Sequence, residues 1–247
     1  MNRFTPAVRI ALASTALAGA VALGRTEPPP RAEQFADEFD RGLCVGFCTG
    51  ARWAIAQQEN GRVSASPAPG RSGLALHAQA GPKQDGRVAK ADLVARVAPV
   101  PVGGTITVAF DLRVAATTPL NSLQLLDLEC ATCAEGGNPG VRLYLRRGRL
   151  RIDRSKIGIQ HAWVNDEAPV LRSDRWHRVV LRLRVDTGDN GGVQVTLDGR
   201  EVLAARGATV LPGRPAHVDR VQIGITANSN PVPAEAWIDR VAVAISR

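Results

Sequence analysis

The chain has 247 residues, 45% of them hydrophobic and 22% charged, with a formal net charge of +8. That balance belongs to a globular protein with a real core, large enough for one big β-sandwich or two small domains, and it excludes a chain too polar to fold. Only Lys83, Lys90 and Lys156 among the 31 basic residues are lysines. The arginine excess reads either as compositional bias or as provision for an anionic partner, because guanidinium binds carboxylate and sulfate bidentately.

Residues 1–24 read as a secretory signal. Arg3 and Arg9 precede the apolar run Ile10 to Leu23, which is too short to span a bilayer comfortably, and Ala22-Leu23-Gly24 (or Ala18-Gly19-Ala20) offers a cleavage site. No Cys lies near that site, so a lipid anchor is not expected. Without Arg3 and Arg9 the formal charge is still about +6. No later stretch is long and apolar enough for a membrane span. Residues 25–34, with Pro28-Pro29-Pro30, read as a linker, and residues 35–247 as one exported domain, periplasmic or extracellular.

Within that domain the pattern is strand after strand. Phe35 to Asp40 opens it; Cys44 to Gly50 is a loop; Ala51 to Gln57 brings in Trp53. Val63-Ser64 is a short strand, Leu74 and Leu76 mark another, and Gly86 to Val97 a longer one, broken at Pro99 to Gly104. Thr105 to Val114 alternates cleanly, with Ile106, Val108, Phe110 and Leu112 on one face. Leu123 to Glu129 follows. Val141 to Arg154 is a hairpin turning at Arg147-Gly148, with Val141, Leu143, Leu145, Leu150 and Ile152 inward and Arg142, Tyr144, Arg146, Arg149 and Arg151 outward. Ile157 to Asn165 fits no clear period. Asp174 to Leu203 is a meander whose buried face carries Val179, Leu181, Leu183, Val193, Val195 and Leu197. Its Arg182 and Arg184 extend the basic hairpin face if both lie in one sheet. Two further strands, around Val221 to Ile225 and Trp237 to Ile245, close the chain. About a dozen short strands and no amphipathic helix predict an all-β fold, an antiparallel two-sheet jelly-roll sandwich.

The four cysteines fall in two close pairs, Cys44/Cys48 and Cys130/Cys133. Three connectivities are open, and in an exported chain two local disulfides are favoured. Cys130-Ala-Thr-Cys133 has redox-motif spacing but follows a strand and precedes a Gly/Pro loop, without the helix N-terminus that lowers a thiol pKa. A four-cysteine zinc site requires the two pairs to meet in space.

Phe35-Ala-Asp-Glu-Phe39-Asp40-Arg-Gly42, Trp176-His177-Arg178-Val179, Val195-Thr-Leu-Asp198-Gly199, Ile223-Gly224-Ile225 and Trp237-Ile-Asp239-Arg240-Val241 occur in that order. Together they resemble the concanavalin A-like lectin/glucanase superfamily, in its laminin-G-like and polysaccharide-lyase-like branches. The resemblance implies a jelly roll that binds, cleaves or merely contacts glycans and proteins. Its hydrolase branches carry alternating carboxylates on one strand; here Asp127 and Glu129 match, but Leu125 stands at the nucleophile position, so retaining hydrolysis is excluded. Asp127 and Glu129 are then expected in structural hydrogen bonds.

The resemblance to lyases points to Tyr144, the one tyrosine, or His161 as the proton-moving group, with Arg142 and Arg146 against a uronate. Gln160-His161 lacks the intervening residue of the lyase Gln-x-His pair. The expected function is carbohydrate binding, with an anionic glycan as one possible ligand, through Arg142, Tyr144, Arg146, Arg149 and Arg151; a divergent lyase and a surface adhesion protein are the alternatives. The resemblance also implies a structural calcium ion held by Asp37, Asp40 and Asp239 near the first and last strands. His177 shares the parity of Val179 and reads as a packed histidine. No nucleic-acid motif accompanies the basic charge.

Overall fold

The computed structural model describes residues 32–133, 137–212 and 216–246; the proposed signal segment and most of the linker lie outside them. Fifteen strands are present among these residues: β1 (Ala32–Asp37), β2 (Ile55–Gln57), β3 (Gly61–Pro67), β4 (Leu74–Ala80), β5 (Ala89–Pro101), β6 (Thr105–Val114), β7 (Leu123–Glu129), β8 (Gly140–Arg146), β9 (Arg149–Arg154), β10 (Ile159–Trp163), β11 (His177–Arg184), β12 (Gly192–Leu197), β13 (Arg200–Arg206), β14 (His217–Asn228) and β15 (Ala234–Ser246). The single helical element among them is a 3-10 turn, Ser155–Ile157. Among the described residues no helix is long and apolar enough to cross a membrane.

The strands form two antiparallel sheets. The eight-stranded sheet runs β13-β12-β11-β6-β15-β4-β3, with β1 also on β15; the seven-stranded sheet runs β10-β9-β8-β7-β14-β5-β2. This is the jelly-roll sandwich that the alternating pattern predicts. The cleanest alternation gives the most regular pairing: Val179 lies opposite Phe110, Leu181 opposite Val108 and Leu183 opposite Ile106, without a shift along β11 and β6. These side chains meet Leu93, Leu126, Leu128, Leu143, Ile152, Val221 and Ile223 from the other sheet in one continuous core. Burial of such side chains, each worth about 1.5–3 kcal/mol, is the main force holding the sheets face to face.

Three local differences from the sequence reading have physical causes. Strand β3 runs over seven residues, not two, because its backbone pairs fully with β4 although few of its side chains are apolar. Strand β5 continues through Pro99 to Pro101, where Val100 and Pro101 still pair with Val218 and His217; this end of β5 tolerates proline because the other side of the strand carries no partner there. The ambiguous stretch after Asp153 splits into the 3-10 turn and β10, whose pairing with β9 is interrupted between Ile159 and Trp163. Trp163 instead lies 3.9 Å from the Arg154 guanidinium.

Along one edge of β15, β4 pairs with Ala234 to Ile238 and β1 with Val241 to Ile245. Asp239 and Arg240 fall in the seam between them, and Arg240 takes a positive φ of 46°. Near that end Trp53 is packed edge-on to Phe35 and stacked on Phe39, with ring centroids 5.4 and 6.2 Å away. Both local disulfides are formed, Cys44–Cys48 and Cys130–Cys133.

Candidate functional site

The β8–β9 hairpin belongs to the seven-stranded sheet and β11 to the eight-stranded one. Arg182 and Arg184 therefore lie on the opposite outer face from the hairpin arginines, and the basic row is not continuous. What continues the hairpin face is a polar strip across β8, β7, β14, β5 and β2. Backbone register aligns Arg142 with Asp127, Asp127 with Gln222, and Gln222 with Val94. One step along, Tyr144 lies between Arg151 and Gln124, and at the far end Asp92 lies opposite Gly224 and Gln57. Facing residues on neighbouring strands share a sheet face, so these side chains form one surface.

The hairpin arginines are partly neutralised. Arg142 pairs with Asp153 and donates to Ser155 Oγ at 2.6 Å. Arg151 donates to Asp166 at 2.7 Å, and Arg149 Nε to the Ala168 carbonyl at 2.8 Å. Arg146 is exposed. His161 is exposed on β10, and its carbonyl accepts from Arg154. No hydrogen bond joins its ring to Tyr144 among the described residues.

The centre of the strip is where charge is buried. Glu129, fully buried, meets Lys156 Nζ from the 3-10 turn and Arg220 Nε at 3.2 Å. Asp127 accepts from Thr226 Oγ1 at 2.9 Å, and Lys156 lies 3.7 Å from its other oxygen. Burial pushes the Asp127 carboxyl up to about 6, against the pull of Lys156 and with a further push from Glu129. Asp92 is fully buried and makes no ion pair among the described residues; burial raises it to about 8, only partly offset by the Gln222 hydrogen bond and the more distant charges of Lys90 and Arg220. Gln222 Nε2 lies 3.3 Å from Asp92 Oδ1 and donates to Gln57 Oε1 at 2.7 Å. The end of the Gln57 amide that faces Asp92 lies 3.2 Å from both carboxylate oxygens.

Asp92, Gln57, Gln222 and Arg220 are the site residues that sequence reasoning missed. Their signal was present: Asp92 stands among Ala91, Leu93, Val94 and Ala95, and the outward positions of β14 carry Gln222, Gly224 and Thr226 instead of the usual charges.

On the other sheet, Asp37 accepts from Phe39 N and from Trp53 Nε1 at 2.9 Å. Asp40 accepts from Leu74 N and shares a cavity of about 480 Å³ with Glu38, Asp239 and two guanidinium groups, Arg71 and Arg240. The structure thus brings Asp40 and Asp239 to one cavity and keeps Asp37 out of it. Each oxygen of Asp37 accepts one of these hydrogen bonds, and Arg71 stands 3.7 Å from Asp239, so guanidinium charge already faces part of the expected calcium set. Fully buried Asp111 beside it collects Arg71, Arg178 and Arg240. His177 is buried between Asp198 and the backbone of Arg172, as a packed histidine.

No protein-family model matches the sequence, and no curated protein matches it. Solved structures do. An endo-β-1,4-glucuronan lyase from Trichoderma reesei superposes with a TM-score of 0.65 at 16% identity, over 87% of this chain and 95% of that one. The cellulose-induced protein Cip1 gives 0.59 at 16%, over 85% and 96%. Domain 4 of AbnA, an extracellular arabinanase of Geobacillus stearothermophilus solved with arabinotriose, gives 0.52 at 12%, over 87% and 92%. At such identities the likeness establishes the architecture: this chain folds as the jelly-roll β-sandwich that those proteins share.

Proposed function

We propose that the chain is an exported glycan-binding domain whose binding surface is the outer face of the seven-stranded sheet. The observation that carries this reading is the row of half-buried and exposed polar side chains at the hairpin end of that face, Gln124, Arg142, Tyr144 and Arg146, which lays an amide, guanidinium groups and a phenol beside the covered polar layer of Asp127, Gln222 and Asp92. Such groups match the dense donors and acceptors of a sugar chain. Arg146, Arg149 and Arg151 at one end suit a carboxylated sugar. Among the structures of the same fold, one is named as acting on glucuronan and one is bound to arabinotriose. The two disulfides accord with export to an oxidising compartment.

A second reading, polysaccharide lyase, draws on Tyr144, whose cross-strand neighbours are Gln124 and Arg151. In uronate β-elimination a base removes the proton next to the carboxylate while a cation or amide neutralises that carboxylate. Tyr144 would be the base and Arg151 and Gln124 the neutralising groups.

Titration of the protein with neutral and uronate oligosaccharides tests binding, with single-stranded DNA as a polyanion control. Saturable binding to a glycan, lost in Arg142→Ala, is expected; no glycan binding, or equal binding to DNA, overturns the proposal. Incubation with acidic polysaccharides, followed by absorbance of unsaturated products, separates the two readings. Product formed by wild type and abolished in Tyr144→Phe replaces binding alone with the lyase.

A further inference from the structure

The Cys130–Cys133 disulfide lies at the end of β7 against the first residue of β14. The His217 ring covers it, with Nε2 3.5 Å from Cys130 Sγ and Nδ1 3.9 Å from Cys133 Sγ. These two sulfurs and a ring nitrogen all lie within 4.8 Å of one another, the one such gathering of three metal-ligating groups among the described residues. A carboxylate stands beside them: Asp219 Oδ2 is 3.4 Å from His217 Nε2. Its other oxygen accepts from Ala131 N at 2.7 Å, which fixes the carboxylate's orientation toward the loop. Cys130 is 2% exposed, and the side chains of His217 and Asp219 are 27% and 13% exposed, so the group is walled on the protein side and open on one side to solvent. The Cys44–Cys48 pair takes no part in it.

We infer that Cys130, Cys133, His217 and Asp219 form a redox-gated site for a thiophilic divalent cation of the zinc type, closed while the disulfide stands and open once it is reduced. Two thiolates, one imidazole and one carboxylate are a four-coordinate zinc donor set. The two sulfurs and the ring nitrogen require little rearrangement, and Asp219, in reach of His217, completes the set by turning toward them. The cysteine Cα atoms are already 5.5 Å apart. Side-chain rotation alone takes the sulfurs to the roughly 3.8 Å separation that tetrahedral Zn–S bonds of about 2.3 Å impose. Nε2 faces both Cys130 and Asp219, which makes it the ring nitrogen for the metal. Arg96, 3.6 Å from Asp219, is half-exposed and free to turn to solvent. The chemistry balances with a dithiol reductant. Its two sulfurs join in a disulfide and give up two electrons and two protons; the Cys130–Cys133 bond breaks to two thiols. The bound cation then displaces both protons to solvent. This inference is independent of the glycan-binding face.

Cobalt(II) is the probe, added to full-length protein carrying Cys44→Ser and Cys48→Ser so that one cysteine pair remains. In the reduced protein, one equivalent is expected to produce thiolate-to-cobalt charge-transfer absorption, abolished by zinc. The same protein with Cys130–Cys133 oxidised is expected to show none. His217→Ala weakens cobalt binding by at least about tenfold, as loss of a ligand requires. Should that variant fold poorly, reduced wild type is compared with reduced Cys130→Ser/Cys133→Ser protein, and the band must vanish with the second pair. Absence of a thiolate band in the reduced protein overturns the site, as does an unchanged affinity in His217→Ala.

Discussion

Asp92 offers the sharpest test of the candidate site, because its environment makes a carboxylic acid neutral at physiological pH. Its folded-state value is about 8 against an ordinary 3.8. The folded protein therefore holds a proton that the unfolded chain releases between those two values. Where the folded state binds more protons, stability falls as pH rises. The contribution is constant below the unfolded value, declines through the window and levels off above about pH 8. At about 1.36 kcal/mol per pH unit, the wild type loses roughly 4 kcal/mol from this group between about pH 5 and about pH 8. Asp92→Asn keeps the shape and the hydrogen bonds to Gln57 and Gln222 but has no proton to lose, so its stability lacks that decline.

The assay is urea unfolding of both proteins at intervals across that range, followed by tryptophan fluorescence, since Trp53 is buried in the described fold. The stability difference, Asn variant minus wild type, should grow by roughly 4 kcal/mol from the acid to the alkaline end. Asp127, which lies at about 6, titrates in both proteins and cancels to first order. Parallel curves for the two proteins would refute the reasoning, because they would mean that Asp92 ionises within the folded sheet at no cost.

Three further outcomes follow from other residues. Arg146→Ala combined with Arg149→Ala removes two positive tips of the strip and should weaken a uronate oligosaccharide about 5- to 30-fold at low salt, with much less effect on a neutral one, as isothermal calorimetry reads directly. Asp111→Asn should destabilise the fold by about 1–3 kcal/mol at neutral pH, the range being lowered because the three arginines are partly exposed. Burial alone raises the Asp111 carboxyl, but hydrogen bonds from Arg71, Arg240 and Arg178 outweigh it and hold the group below its ordinary value. Its contribution is therefore present above the unfolded value and lost on acidification, so the gap to the Asn variant should close below about pH 4 in chemical denaturation. Millimolar calcium or a chelator should move the melting temperature by less than about 1 °C, since the carboxylates of the β1–β15 seam already face donors and guanidinium groups; a rise of several degrees would show an oxygen site there.

The alternating strands were legible because one face of each is buried and the side-chain period is two. The meander and the hairpin read true from Val179 to Leu197 and from Val141 to Ile152. Sheet membership was not legible: Arg182 and Arg142 have the same local pattern, and only the long-range pairing of β11 with β6 and of β8 with β7 sends them to opposite faces. The site was half legible. Outward arginines announce themselves by charge, but Asp127 and Glu129 read as routine structural carboxylates, and Asp92 stands unremarked within the long strand from Gly86 to Val97. Their common feature is burial on the outer face, beside long side chains from elsewhere in the chain: Lys156 from the 3-10 turn, Arg220 and Gln222 from β14. No local pattern contains that information.

Gly224 links fold and site most tightly. Within Ile223-Gly224-Ile225 it looked like a fold landmark, yet in the sheet it is the residue opposite Asp92. Its φ is +137°, and a Cβ there would lie 2.5 Å from the Ala91 carbonyl oxygen and 2.7 Å from Asp92 Cα, both backbone atoms that cannot swing away. The missing side chain is thus what lets β5 close on β14 and Asp92 sink into the surface. Gly224→Ala combines a disallowed backbone angle with overpacking, so it should cost roughly 3 kcal/mol or more. Gly199→Ala is the matched control: its φ is +80° and nothing lies within 4 Å of the added carbon, so only the backbone term applies, about 1–2 kcal/mol. If thermal melts place the two variants together, the close approach of β5 and β14 is not what holds Asp92 under cover. If Gly224→Ala melts well below Gly199→Ala, the close approach of the β5 backbone is what the missing side chain permits.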